Sequence, residues 1–168
     1  GCLGPEAKRA HRSQSRKEGI FRSIDGGENW TYTYKTEFHK QQSMGSLFAA
    51  DLRTINNNQF TLYAGSHSDG LLISRDSGLT WSKTNFNHGT ITDIEPSITS
   101  PGKLIISTTK GLFQYLDGTI KKIGQELDGA PSNIAISPKQ PERIVAAVAG
   151  HGIYTSDNHG SSFHKSSR

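Results

Sequence analysis

Fifteen acidic side chains and seven histidines are the groups that could carry acid–base or metal chemistry here. Hydrolysis of a glycosidic bond needs two carboxyl groups about 5–10 Å apart, flanking the bond. Asp25, Asp76 and Asp117 each precede a glycine by one or two residues, which reads as turn chemistry rather than catalysis. Asp51, Asp93 and Glu95 lie in apolar, strand-like segments and are the acids from which a catalytic pair could be drawn. His151, His159 and His164 fall before, within and after a turn, at spacings that match no usual ligand set. His67 and His88 have no identifiable partners, so neither a metal nor any other cofactor is expected. The single cysteine, Cys2, excludes an internal disulfide and a cysteine-based zinc cage. No glycine-rich phosphate loop opens a helix, because no window of helical length keeps a 3.6-residue apolar period with caps.

The elements that must position these groups announce themselves by repetition. Residues 19–30 read GIFRSIDGGENW, residues 70–81 read GLLISRDSGLTW, and residues 152–163 read GIYTSDNHGSSF. The shared core, Ser-x-Asp-x-Gly-x-x-Trp, is complete at Ser23, Asp25, Gly27 and Trp30 and again at Ser74, Asp76, Gly78 and Trp81. In the third copy it is blurred, with Ser156, Asp157, Gly160 and Phe163 standing for it, which predicts a less well pinned turn. A fourth, decayed copy at 111–118 keeps the strand and an Asp117-Gly118 turn but no Trp. The leading glycines, Gly19, Gly70, Gly111 and Gly152, stand 51, 41 and 41 residues apart. A period near 41 is the size of one four-stranded propeller blade.

Between the signatures, short runs of β-branched and aromatic residues alternate with Gly-, Asn-, Pro- and Ser-rich turns. The predicted strands are 47–52, 60–64, 71–74 and 80–83; then 91–94, 104–108, 112–115 and 120–123; then 134–138, 143–148, 152–155 and 162–165. Residues 19–35 supply only the last two strands of a blade. The expectation is an all-β chain: a β-propeller of four-stranded blades over residues 19–168, about three and a half blades, after a flexible basic arm over 1–18. An open blade leaves an unpaired strand edge that invites pairing. Three explanations stand open: a piece of a longer propeller, two copies of the chain forming one ring, or a partner covering the edge.

The repeated signature resembles the Asp-box, or bacterial neuraminidase repeat, found in sialidases, xyloglucan hydrolases, sortilin-type receptors and photosystem II assembly factors. The resemblance covers residues 19 to 163. It implies a propeller in which the box is the hairpin between a blade's third and fourth strands, away from an active face. The box residues are then fold staples. Asp25 and Asp76 accept backbone N–H bonds inside their own turn. Gly27 and Gly78 take backbone geometry that other residues resist, and Trp30 and Trp81 bury a ring over the hairpin. The sialidase chemistry implied by the wider family needs an arginine cluster whose Phe-Arg-Ile-Pro type motif is absent here.

The net charge of +4 is concentrated at one end. Lys8, Arg9, Arg12, Arg16 and Lys17 face only Glu6 and Glu18, which leaves the arm at +3 and the remaining chain at +1. The arm lacks interleaved aromatics and no nucleic-acid motif follows it, so no nucleic-acid partner is expected. Gly1-Cys2 followed by a polar arm looks like a bacterial lipoprotein junction, with Cys2 the lipidated residue. Lipid chains plus a basic arm meet the two-signal rule for stable membrane attachment.

These readings combine into one expectation. It is a non-catalytic, extracytoplasmic propeller of the sortilin-like or photosystem II assembly factor-like type, lipid-anchored through Cys2. Such a propeller binds protein partners as an accessory subunit of a larger membrane-associated complex. The alternative is a glycan-directed protein, either a fragment of a sialidase- or xyloglucanase-like hydrolase or a carbohydrate-binding module. A homodimer completing the open blade, or a purely structural subunit completed by another chain, remains a rival. Docking is expected on the end opposite the boxes; residues 56–58, 99–103 and 139–141 are candidate turns, though the sequence alone does not assign them to an end.

Overall fold

Apolar residues at every second position, interrupted by glycine at short intervals, favour pleated strands that are buried on at least one face. The computed structural model describes residues 19–35, 47–56, 59–66 and 69–166, with backbone alone for 47–56 and 59. The arm with Cys2 therefore lies outside the described residues. Fourteen strands are described, in four antiparallel sheets. A two-stranded half-blade holds β1 (Gly19–Arg22) and β2 (Thr31–Lys35). The second blade holds β3 (Leu47–Asn56), β4 (Gln59–Ser66), β5 (Gly70–Ser74) and β6 (Ser82–Lys83). The third holds β7 (Ile91–Pro96), β8 (Lys103–Thr108), β9 (Gly111–Leu116) and β10 (Thr119–Ile123). The fourth holds β11 (Pro131–Ile136), β12 (Ile144–Val148), β13 (Gly152–Ser156) and β14 (His164–Lys165). The chain has the β-propeller fold, in the three-and-a-half-blade arrangement that the repeat period predicts.

Within each blade every strand pairs with its sequence neighbour, so the order is a simple meander. The first strands of the blades stand side by side, with β7 between β3 and β11. Successive sheets thus stack face to face around one axis. The third blade closes its outer hairpin with the two residues Asp117 and Gly118, both left-handed at φ 44° and 87°. That is the backbone an Asp-Gly hairpin turn favours.

The apolar interior is divided into three seams, one per pair of neighbouring sheets. Ile20 meets Ala64 and Leu72, with Tyr34 and Trp81 against them, between the half-blade and the second blade. Tyr63, Leu71 and Ile73 meet Leu104, Ile106, Phe113 and Tyr115 between the second and third. Ile105, Leu112 and Ile123 meet Ile144, Ala146, Tyr154 and Phe163 between the third and fourth. Strand β8 shows the consequence: Leu104 and Ile106 point into one seam and Ile105 into the next, and all three are buried. Fully burying one such side chain is worth about 1.5–3 kcal/mol, so each seam is a separate mini-core. Replacing Phe163 by Ala should cost about 3–5 kcal/mol. Ile24→Ala, at an 81% exposed position, should stay within about 0.5 kcal/mol. Urea unfolding of both variants checks this; equal losses would refute the seam assignment.

Candidate functional site

The boxes are built by one serine and one acceptor side chain. In the first, Ser23 Oγ donates to Asp25 Oδ1 at 2.7 Å and accepts from Gly27 N at 2.9 Å. Asp25 Oδ1 accepts from Asn29 N at 2.9 Å and Oδ2 from Asn29 Nδ2 at 2.7 Å. The second box repeats the pattern. Ser74 Oγ bonds Asp76 Oδ1 at 2.7 Å and Gly78 N at 2.8 Å, while Thr80 donates from N at 2.9 Å and from Oγ1 at 2.6 Å. In the third, the acceptor is Asn158. Its Oδ1 accepts from Ser156 Oγ and from Ser162 N, both at 2.9 Å, and its Nδ2 donates to Ser162 Oγ at 2.8 Å. Asp157, which the sequence reading put in that role, lies one residue early and pairs with Arg143 at 2.6 Å. The third turn carries the same serine-to-acceptor bonds as the other two, contrary to the weaker pinning expected of it.

A further correction concerns the aromatic staple. Phe163 is buried and Trp81 packs into the first seam, but Trp30 is 62% exposed. The reason is that each box leans on the preceding blade. A Cβ at Gly160 would lie 2.9 Å from Ile123 Cδ1 of the third blade. At Gly78 it would approach Arg22 Cδ of the half-blade at 3.6 Å, while Arg22 Nε donates to Ser77 O at 2.7 Å. The added atom at Gly27 would meet nothing within 4 Å but Trp30's own ring. Among the described residues, no sheet precedes the half-blade, so Trp30 has only its own turn, where Nε1 donates to Gly27 O at 2.9 Å.

Of the acids considered for catalysis, Asp93 is committed to the fold. Its Oδ1 accepts from Ile94 N at 2.9 Å and its Oδ2 from Ile134 N of β11 at 2.8 Å. A bulge in β7 between Ile91 and Asp93 makes this reach possible. The bulged Thr92 donates from Oγ1 to Pro131 O at 3.1 Å, and Ser107 Oγ donates to the same carbonyl. Glu95, two residues along, is pushed above the usual carboxylate range by burial and by the negative Asp93 nearby. The side chain of Asp51 lies outside the described residues. Among the described residues, no three His, Cys, Asp or Glu gather as a metal-binding group.

Strand direction alternates, so a blade's first and third turns share one end and its second turn the other. The 97–102 and 137–143 turns therefore lie beside the boxes, as His159 N to Glu142 O at 2.8 Å shows directly. These include two of the turns offered for docking; residues 57–58 of the third lie outside the described residues. The opposite end carries Asp69, Thr109, Lys110, Gly150 and His151 on second turns, and the 84–90 and 124–130 connections between blades. There Lys83 pairs with Asp69 at 2.6 Å. The Tyr154 hydroxyl donates to Asp128, and Lys165 lies 3.9 Å from the same carboxylate. That hydrogen bond holds Asp128 below its ordinary range and raises Tyr154. Lys83, Lys122 and Lys165 face the residues two places after the leading glycines, Leu72, Phe113 and Tyr154, so each full blade sets one lysine at the same register.

No family model and no curated protein matches this sequence. Solved structures do. The GH74 xyloglucanase from Xanthomonas campestris is similar with a TM-score of 0.66 at 16% identity, over 89% of this chain and 27% of that one. An ancestral GH74 enzyme is similar with a TM-score of 0.66 at 16% identity, over 92% of this chain and 22% of its own. YCF48 bound to a D1 peptide is similar with a TM-score of 0.59 at 17% identity, over 88% and 49%. The chain thus spans about a quarter of the length of the two GH74 enzymes and about half of YCF48. At these identities the likeness is one of fold.

Two outcomes test the geometry. At Asp76 burial opposes ionisation, but hydrogen bonds from Thr80, Ser74 and Leu79 outweigh it and bring the carboxyl to about 2 from 3.8. The contribution of such a group is present above its unfolded value and is lost as pH falls through the folded one. Asp76→Asn, which copies Asn158, should leave Tm at neutral pH nearly unchanged and flatten its decline between pH 4 and 2. A variant losing as much Tm in acid as the parent would contradict this. Asp93→Ala strips two backbone donors of their acceptor and should cost about 1–3 kcal/mol in urea unfolding. No loss would mean that the tie between blades is not formed in solution.

Proposed function

We propose that this propeller is a non-catalytic protein-binding subunit, held on the outer side of a membrane through lipidated Cys2 and its basic arm, and serving assembly of a larger complex. The observation that carries the reading is Asp93. Both of its oxygens are bonded to backbone N–H groups of two blades, so it is unsuited to act as nucleophile or base. Asp25 and Asp76 are likewise engaged within their turns. The fold likeness to YCF48, which has been solved with a D1 peptide, supports protein recognition by a propeller of this kind. The end opposite the boxes is the docking surface in this reading, because its turns carry no repeated structural role and differ from blade to blade.

A glycan-directed reading has one specific observation in its favour besides the GH74 likeness. Glu95 is a partly buried carboxyl raised by its surroundings, which is the condition a general acid requires. One experiment addresses both. Native mass spectrometry of the protein released gently from its source membrane should give a species heavier than 18.3 kDa by lipid and at least one other subunit. The same preparation should release no reducing ends from xyloglucan. A free, unlipidated chain would remove the membrane argument. Sugar release that is lost in Glu95→Gln would put the glycan reading in its place.

A further inference from the structure

A repeat makes exceptions in charge visible. Lys83, Lys122 and Lys165 stand at one register of the three full blades. In the second blade the residue before the leading glycine is Asp69, which pairs with Lys83 at 2.6 Å and whose side chain is only 3% exposed. In the fourth blade the acid comes from three residues before the first strand, where Asp128 lies 3.9 Å from Lys165 and accepts from Tyr154. The third blade has neither acid. Before its glycine stands Lys110, and three residues before its first strand stands His88. His88 takes the place of Asp128 against the ring that corresponds to Tyr154, its centroid 4.8 Å from that of Phe113. None of Lys110, Lys122 and His88 belongs to an ion pair among the described residues.

The backbone holds these groups in place. A Cβ at Gly111 would lie 3.1 Å from Lys122 Cε and 3.6 Å from its Nζ, and one at Gly89 would lie 3.0 Å from Lys110 Cγ. Each lysine stem thus occupies the room that a missing side chain leaves. Gly89 follows His88 and Gly111 follows Lys110, so the three groups share one corner of the blade. Like charges set side by side are unfavourable, and a local conflict of this kind is expected where a site serves a ligand. An incoming anion removes it.

We infer that this corner seats a carboxylate from an acidic segment of a partner protein, held between Lys110 and Lys122 with His88 beside it. The seat presupposes the protein-binding reading and gives that partner its chemistry. The donor set favours a carboxylate over a phosphate. Phosphate cradles are built from free backbone N–H groups. Here Lys110 N donates to Thr108 Oγ1 at 3.0 Å, Thr109 N to Thr90 O at 2.9 Å and Thr90 N to Thr109 Oγ1 at 3.2 Å. Two ammonium groups match the two oxygens of a carboxylate. The neighbouring blades speak against an anionic membrane as occupant, because Asp69 and Asp128 already face their lysines. Unmatched positive charge is confined to the third blade, which suits a chain segment rather than a surface.

The test is fluorescence anisotropy of a labelled hexaglutamate peptide with the full chain at low salt. The parent should bind it and should leave hexaglutamine free. Lys110→Asp sets an acid where the second blade has one, and should weaken binding by about tenfold or more while keeping the parent's Tm. Lys122→Gln should weaken it likewise. Lys121→Asp is the control, since it makes the same change in net charge as Lys110→Asp. Lys121 is exposed opposite Gln114, on the other side of the sheet from Lys122, and its variant should stay within about twofold of the parent. Equal weakening in Lys110→Asp and Lys121→Asp would overturn the inference, because a diffuse field acts that way. So would a parent that ignores the peptide, or one that prefers inorganic phosphate or phosphatidylglycerol vesicles. The seat and the reading beneath it fail separately: a parent that leaves its membrane with another subunit but does not hold the peptide loses the seat alone.

Discussion

Burial of one sheet face against the next is the constraint on which everything else in this chain depends. A four-stranded blade of about forty residues cannot enclose an interior of its own. The two-sided burial of β8 arises only because a blade stands on each side of it. The boxes belong to the same constraint. Their internal bonds hold a tight hairpin, but in the second and third boxes the glycine and the aromatic residue face the preceding blade. Ser77 O, for instance, receives Arg22 from the half-blade. The box is therefore both a turn and the outer margin of a seam, which explains why it recurs with blade period.

The strands were legible in the sequence because each carries its own evidence: alternation inside, turn residues outside. The pairing order followed, since short turns leave a meander as the simple solution. What the residues alone did not disclose depends on neighbours. Trp30 and Trp81 occupy the same register of the same signature, yet one is exposed and the other packed, because burial of a box aromatic belongs to the sheet before it. Asn158 was hidden for a different reason. Counted from Gly152 it holds the acceptor position, but the adjacent Asp157 drew the assignment because the signature names an acid. The side-chain oxygen of an amide accepts the same two bonds, so the turn needs an acceptor rather than a charge. The end on which each turn falls was left open by the sequence and follows from strand direction once the strands are placed.

The acids divide along similar lines. Asp25 and Asp76 are stabilised as anions by bonds inside the turn, and Asp25 is brought to about 2, chiefly by the backbone N–H of Asn29. Asp93 sits on an inner strand, where the edge of β11 needs an acceptor for Ile134 N, and a bulge turns its carboxylate that way. Its role could not be read from composition, because an isolated acid in an apolar strand looks alike whether it ties blades together or serves a substrate. Glu95 shares the strand and feels Asp93 as an unfavourable charge. Its raised carboxyl is thus partly a by-product of the tie beside it.

In a repeat protein, a residue that recurs at one register serves the repeat, and one that departs from it is free for other work. By that criterion the box end is mostly architecture. The opposite end combines both kinds: a lysine at one register in each full blade, two of them, Lys83 and Lys165, set against acids that come from different loops. Asp69 approaches Lys83 from a second turn, whereas Asp128 approaches Lys165 from a connection between blades and also accepts from Tyr154. A cation at a constant register with variable surroundings leaves the seams unaltered. Packing is then confined to the seams, and the variable acids lie at the margin, outside them.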